Sequence, residues 1–240
     1  MATVLLVRHG RTTANADGIL AGRSSGIELD DTGHTQAARA GTRLGAIRLA
    51  GLVTSPMLRC RQTSEAILAA QPGRPTEVVD DALTECDYGE WQGRKIADLA
   101  TEPLWATVQA HPAAVVFPGG EAMAAMQARA VAAIRRHDAA FEAEHGPDAV
   151  WAAVSHGDLI KSVLADALGM HLDLFQRIQV HPASVSIVRY TSTRPHVVAM
   201  NTDAGDLTWL DAEDRSDGAT DGDGQIGGGA GPARPAPVGS

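Results

Sequence analysis

The sequence predicts an α/β fold built on a parallel-rich sheet. Three observations predict it. Short apolar runs of strand length recur along the chain. Helical stretches separate them. Glycine or proline marks most of the boundaries. The chain has 240 residues, 44% of them apolar, which is ample for a buried core. Aromatic residues make up only 4%, so that core has to be built mainly from Ala, Val, Leu and Ile.

The elements follow in order. Residues 3–7 are an apolar run ending in charge, as in a buried strand. Asp30-Asp31-Thr32 opens a helical pattern that reaches about Ile47, with an acidic or hydroxyl cap. Leu52-Val53-Thr54 is a second strand, and Pro56 opens a helix to about Ala70, since proline is tolerated in a first turn. Glu77-Val78-Val79 is a third strand, and residues 80–120, rich in Gly and Pro, are irregular. An alanine-rich helix runs from Glu121 to Glu144, a buried strand from Ala149 to Val154, and a helix from Asp158 to Leu168 closed by Gly169. Val185–Tyr190 and His196–Met200 read as two paired strands. From about residue 212 the chain holds eight glycines, three prolines and almost no large apolar side chain. Such a stretch cannot offset the entropy of ordering. The expectation is therefore one domain over residues 1–211 and a disordered tail over 212–240, whose removal leaves folding and rate unchanged.

Charge narrows the function. The net charge is −9, but the stretch from Asp211 onward carries six acidic residues and two arginines, so the body is only mildly acidic. This argues against a nucleic-acid partner, which would call for a basic face. Any phosphate site must supply its own local positive charge. Cys60 and Cys86 show neither a disulfide framework nor zinc spacing and read as structural thiols. The opening apolar run is too short for a signal peptide, and nothing approaches a membrane span. A cytoplasmic protein with no membrane partner is expected, and a homo-oligomer is compatible with the sequence.

Four segments carry chemistry. In Arg8-His9-Gly10-Arg11-Thr12-Thr13-Ala14-Asn15 a histidine and an arginine stand at the carboxyl end of the first strand, the end where α/β sheets bind ligands. Ser155-His156-Gly157 repeats the arrangement at another strand end, just before a helix whose N–H groups can receive an anion. If the two strands are neighbours, both histidines face one pocket. A metal is the other use of such a pair, but no third ligand stands near either. In Ser55-Pro56-Met57-Leu58-Arg59-Cys60-Arg61-Gln62-Thr63, Arg59 can point back to the sheet end. Arg61 lies about 200° further round the helix and reads as a surface residue. The loop Glu85-Cys86-Asp87-Tyr88-Gly89-Glu90-Trp91-Gln92-Gly93 offers three acids, and spacing does not choose among them.

Together, and in the order in which they stand along the chain, the four segments resemble the histidine phosphatase superfamily, the group that includes phosphoglycerate mutases and many phosphatases. The resemblance spans roughly residues 3–210. It implies a phosphoglycerate mutase-like three-layer sandwich, with helices on both faces of a mostly parallel sheet and a cap from about Leu83 to Met126. It places the nucleophile on His9 and the general acid on Glu85, leaving Asp87 and Glu90 as ordinary loop acids. It sets Arg8, Arg59 and His156 around the phosphate, with Asn15, Gly22 and Gly157 as further substrate contacts. Arg23 falls at the pocket entrance or on a surface loop. Arginine suits this work because its fork donates two hydrogen bonds to phosphate and stays charged. No metal or other cofactor is called for.

Phosphatases and mutases share this core. A mutase has to hold a second anionic group, and between residues 86 and 121 the only Arg or Lys residues are Arg94 and Lys95. The rest of the cap is largely Ala, Pro and Val. This favours a small-molecule phosphomonoester with an uncharged or partly apolar body, hydrolysed rather than rearranged. A phosphoglycerate mutase is the alternative. A catalytically dead phosphate-binding protein is disfavoured because every charged group that the chemistry needs is in place.

Overall fold

The computed structural model describes residues 2–203 together with Gly227 and Gly229. One six-stranded sheet organises it. Its strands are β1 (Thr3–Arg8), β2 (Leu52–Thr54), β3 (Glu77–Val79), β4 (Val150–Ser155), β5 (Val185–Tyr190) and β6 (Pro195–Thr202), in the spatial order β3-β2-β4-β1-β5-β6. The first four strands of that order run parallel, and β5 and β6 join antiparallel. The helices are α1 (Thr13–Ala16), α2 (Asp31–Leu44), α3 (Leu58–Ala69), α4 (Ile96–Leu99), α5 (Trp105–Ala110), α6 (Met123–His145) and α7 (Gly157–Ala167). This is the mostly parallel sandwich that the sequence predicts.

The period of two along β1 explains the layers. Val4 and Leu6 point to one side, into a core shared with Trp151, Ile134 and Leu164. Leu5 and Val7 point to the other, against Leu44, Ile67 and Leu68 of α2 and α3. Trp151 is fully buried, and its indole N–H donates to Asp138 Oδ1 of α6 at 2.9 Å, so the large ring enters the core without an unsatisfied donor.

Local chemistry sets the helix ends. Asp30 caps α2 by accepting from the Gly33 N–H at 2.7 Å, the acidic cap that the sequence suggests. Pro56 lies before α3 rather than inside it, because Met57 is extended and takes the cap position. The long helix starts at Met123, two residues later than the sequence suggests, and Gly146 ends it. Helix α1 is not among the elements expected from the sequence. It is a single turn held by a reciprocal capping box between Thr12 and Asn15.

The cap segment carries α4, α5 and several 3-10 turns. It is held by an aromatic cluster in which Tyr88 and Trp91 each meet Phe117 edge-on, and Trp91 stacks on Trp105. Four of the chain's nine Phe, Trp and Tyr residues lie here, which lets a loop with little regular structure keep a fixed shape. Among the described residues, no helix is long and apolar enough to cross a membrane.

One close approach ties the core to the site. A Cβ added at Gly10 would overlap the backbone of Gly33, where the loop after β1 crosses the start of α2. The Gly10 N–H also donates to Thr63 Oγ1 at 3.1 Å. Gly10→Ala is expected to cost about 1–3 kcal/mol, because backbone has to move. At this chain length that is a fall in melting temperature of roughly 2–12 °C, measurable by calorimetry.

Candidate active site

Strands β1 and β4 are adjacent and in register, with Arg8 opposite Ser155, so the two His-Gly segments leave the sheet side by side. The His9 N–H donates to Ser155 O at 2.9 Å, and the Ala183 N–H reaches the carbonyls of both Arg8 and His9 at 3.1 Å. The backbone under His9 is therefore fixed by β4 on one side and by the turn leading into β5 on the other. The two imidazoles lie 5.2 Å apart, edge to face.

The partners of each ring determine its tautomer. His9 Nδ1 lies 2.7 Å from Gly10 O, so it carries the proton and donates. Nε2 then keeps its lone pair and accepts from Arg59 Nε at 3.2 Å. His156 is arranged the other way. Its Nδ1 accepts from Arg59 Nη2 at 3.1 Å, and its Nε2–H donates to Ser55 Oγ at 2.8 Å. Burial holds both imidazoles well below their ordinary range, and the Arg59 charge adds to it. Both rings are neutral, and the cation between them is a guanidinium.

Arg59 is placed by the first turn of α3 and anchored by Nη2 donating to Gly22 O at 2.7 Å. Arg8 is anchored by Nη1 donating to Val180 O at 2.8 Å. Burial brings Arg8 down to about 10, with Glu85 and Asp158 acting in the opposite direction. It stays charged at neutral pH. Arg59 Nη1 and Arg8 Nε are buried with no hydrogen-bond partner among the described residues. Buried guanidinium donors left unpaired in a cleft are what an anion would complete.

One pocket is lined by His9, Asn15, Leu20, Gly22, Arg59, Glu85 and Ile96, together with Gly227 and Gly229. Glu85 is only 3% exposed, and its Oε1 accepts from the Cys86 N–H at 2.9 Å. Burial, reinforced by the nearby Asp158, raises its carboxyl to about 7. The other loop acids are elsewhere. Asp87 faces Arg23 at 3.7 Å, and Glu90 is exposed. Asn15 reaches the pocket, but its side-chain oxygen is engaged with Thr12, so a ligand can meet only its amide nitrogen. Gly157 is buried at the first turn of α7, directly after His156. Arg61 pairs with Glu77 at 2.8 Å, outside the pocket.

Sequence reasoning missed several supports. Arg23 and Arg129 both donate to Glu85 O, at 2.9 and 3.1 Å, and both hold Glu121. Arg23 is thus a brace for the Glu85 loop, not a wall of the pocket. Behind the site, Tyr88 Oη donates to the fully buried Asp158 at 2.7 Å, and Lys161 lies 3.4 Å from the same carboxylate. Cys60 lies against His156, 3.4 Å from Nε2, and burial pushes its thiol up to about 12, so it stays protonated. The tail assigned to residues 212–240 lies outside the described residues except for Gly227 and Gly229. Arg8 Nη2 donates to the carbonyls of Gly227 at 3.3 Å and Gly229 at 2.9 Å, and the Gly227 N–H donates to Asp158 Oδ2 at 2.9 Å.

Residues 4–203 match the histidine phosphatase superfamily, branch 1. The chain belongs to that superfamily. An acid phosphatase of Mycobacterium tuberculosis is 32% identical over 185 residues, 77% of this chain and 84% of that protein. A Klebsiella pneumoniae protein named "Probable phosphoglycerate mutase GpmB" is 30% identical over 217 residues, 88% of this chain and 96% of the relative. Among solved structures, a mycobacterial glucosyl-3-phosphoglycerate phosphatase complexed with VO3 superposes with a TM-score of 0.74 at 25% identity, covering 84% of this chain and 99% of its own. Members of the superfamily thus surround this chain under both phosphatase and mutase names.

Proposed function

We propose that the chain is a phosphomonoester hydrolase acting through a phosphohistidine on His9, with Glu85 as general acid. The observation that carries it is the His9 tautomer. With Nδ1–H held by Gly10 O, the Nε2 lone pair faces Arg59 in the pocket, and among the described residues Arg59 Nη1 and the neighbouring Arg8 Nε have no hydrogen-bond partner. That is a nucleophile beside a place for an anion.

In the first step His9 Nε2 bonds to phosphorus, the P–O bond to the substrate alcohol breaks, and the Glu85 carboxyl gives its proton to the leaving oxygen. In the second step water attacks phosphorus, the P–N bond breaks, and Glu85 takes the proton from water. His9 is neutral again and inorganic phosphate departs. Arg8 and Arg59 hold the phosphoryl oxygens throughout, and His156 joins them once the bound phosphate has brought a proton to its Nδ1. Arg59 can turn its Nε and Nη2 donors from the two imidazoles to the phosphate, and Nη1 has no other partner among the described residues.

The pocket wall supports hydrolysis of an ester with an uncharged or partly apolar body. Beyond the catalytic groups the lining includes Ile19, Leu20, Ala21 and Ile96. The cap's Arg94 is turned away, paired with Glu102 at 2.6 Å. The relative named as a mutase keeps that reading as the alternative.

Turnover of p-nitrophenyl phosphate by the purified protein tests the proposal and separates an enzyme from a dead relative. Because the arginines supply the positive charge, EDTA is expected to leave the rate within about twofold. A rate lost in EDTA and restored by zinc or magnesium would replace this reading with a two-histidine metal site. Incubation with labelled phosphoglycerate distinguishes release of phosphate from its transfer to the other hydroxyl.

A further inference from the structure

We infer that the anion pocket is also a main-chain binding site whose resident ligand is the chain's own glycine-rich C-terminal segment, docked through Gly227 and Gly229 in competition with phosphate. The inference rests on the reading of Arg8 as a phosphate ligand.

The grip on the segment has two sides. Arg8 Nη2 donates to two carbonyls of the segment, Gly227 O and Gly229 O. Asp158 Oδ2 accepts the Gly227 N–H at 2.9 Å. A peptide carries both donors and acceptors, and Arg8 and Asp158 offer the matching cation and carboxylate against the two glycines that line the pocket. Asp158 is held in place by Tyr88 and Lys161, so its oxygen is presented by a rigid frame. The two glycines also line the pocket that contains His9, Arg59 and Glu85.

The contacts explain why this is competition. Arg8 is the group through which the pocket would receive phosphoryl oxygens, and its outward nitrogen is already engaged with neutral carbonyls. A phosphate dianion makes stronger, charge-assisted bonds to the same guanidinium. It would displace the segment, at the cost of undocking it. Asp158 accepts an N–H but repels an anion, so from behind the site it favours the peptide over phosphate. Tethering raises the local concentration of the segment to the millimolar range, enough for a few hydrogen bonds to matter. Glycine suits the position, because Gly227 has φ +73°, and a Cβ there would meet Leu20 Cδ1 at 2.9 Å.

The test uses the full chain. Gly227→Pro removes the N–H given to Asp158 and imposes a φ that docking does not allow. Gly227→Val adds a branched side chain at the left-handed position. Each is expected to tighten binding of inorganic phosphate about tenfold, read by calorimetric titration. A free peptide of residues 224–232 at millimolar concentration is expected to reverse part of the gain. Phosphate affinities within twofold of the unsubstituted chain would overturn the competition, and so would weaker binding in the variants. Docking is read separately from the amide NMR shifts of Gly10, Gly157 and Asp158, which Gly227→Pro has to move if the segment lies where it is described. Unmoved shifts overturn the inference whatever the phosphate result. Moved shifts with no phosphate binding in any chain would sink the phosphatase reading and the competition with it, and leave the peptide site standing.

Discussion

His9→Ala is expected to remove the proposed covalent route. The expected loss in turnover of p-nitrophenyl phosphate is on the order of 10⁴–10⁶-fold, the scale seen when an enzyme's nucleophile is deleted. The same variant forms no phosphoenzyme. In the unsubstituted protein, rapid quenching after exposure to labelled substrate should trap phosphate that is labile to acid and stable to base, as a phosphoramidate is. The structure sharpens the assignment to one atom. Nδ1 is committed to Gly10 O at 2.7 Å, so the phosphate belongs on Nε2. Label on His156 instead of His9 would reverse the two roles, and near-normal turnover by His9→Ala would remove the nucleophile assignment altogether.

Glu85→Gln separates substrates by their leaving groups. An alkyl alcohol departs as a strongly basic alkoxide unless it is protonated, so loss of a positioned acid is expected to slow phosphorylation of His9 by glycerol phosphate about 10²–10⁴-fold. The p-nitrophenolate ion is stable near neutral pH and needs little help, so its transfer should fall far less. Single-turnover phosphorylation is the step to compare, because on the proposed route dephosphorylation is common to all substrates and uses Glu85 as a base. The same change at Asp87 or Glu90 should show no split. Equal loss on both substrates for Glu85→Gln would make this residue a support for the loop.

The pH dependence follows with a definite sign. Glu85 must be protonated to act as an acid, and its carboxyl is raised to about 7, so phosphorylation by alkyl esters falls as pH rises through that value. His9 must be neutral, and it is held well below the ordinary imidazole range, so the nucleophile survives far to the acid side. The first step is therefore fastest on the acid side of neutrality. Glu85→Gln should erase the alkaline limb and leave the acid one. An alkaline limb that persists in the variant belongs to another group.

Much of this was legible in the chain itself. Strand periods, the Asp30 cap and the paired strands at the end depend on residues close in sequence, and the structure reproduces them. The boundary differences are local too. At Pro56 an extended Met57 took the cap position, and at Glu121 the side chain was drawn into ion pairs with Arg23 and Arg129 instead of starting a helix.

The sequence by itself determined the fold class, the order of the four chemical segments, and which two strand ends carry histidine. Those are properties of neighbours along the chain. Only the tertiary structure decided that β1 and β4 lie side by side, which ring nitrogen of each histidine keeps its lone pair, and which of three loop acids turns inward. It alone brought Arg129 to the Glu85 loop, Tyr88 to Asp158, and Gly227 to Arg8. The reason is physical. A hydrogen bond between residues 70 or 219 positions apart leaves no periodicity in the chain, because its geometry is set by how whole layers pack and not by what either residue's neighbours are.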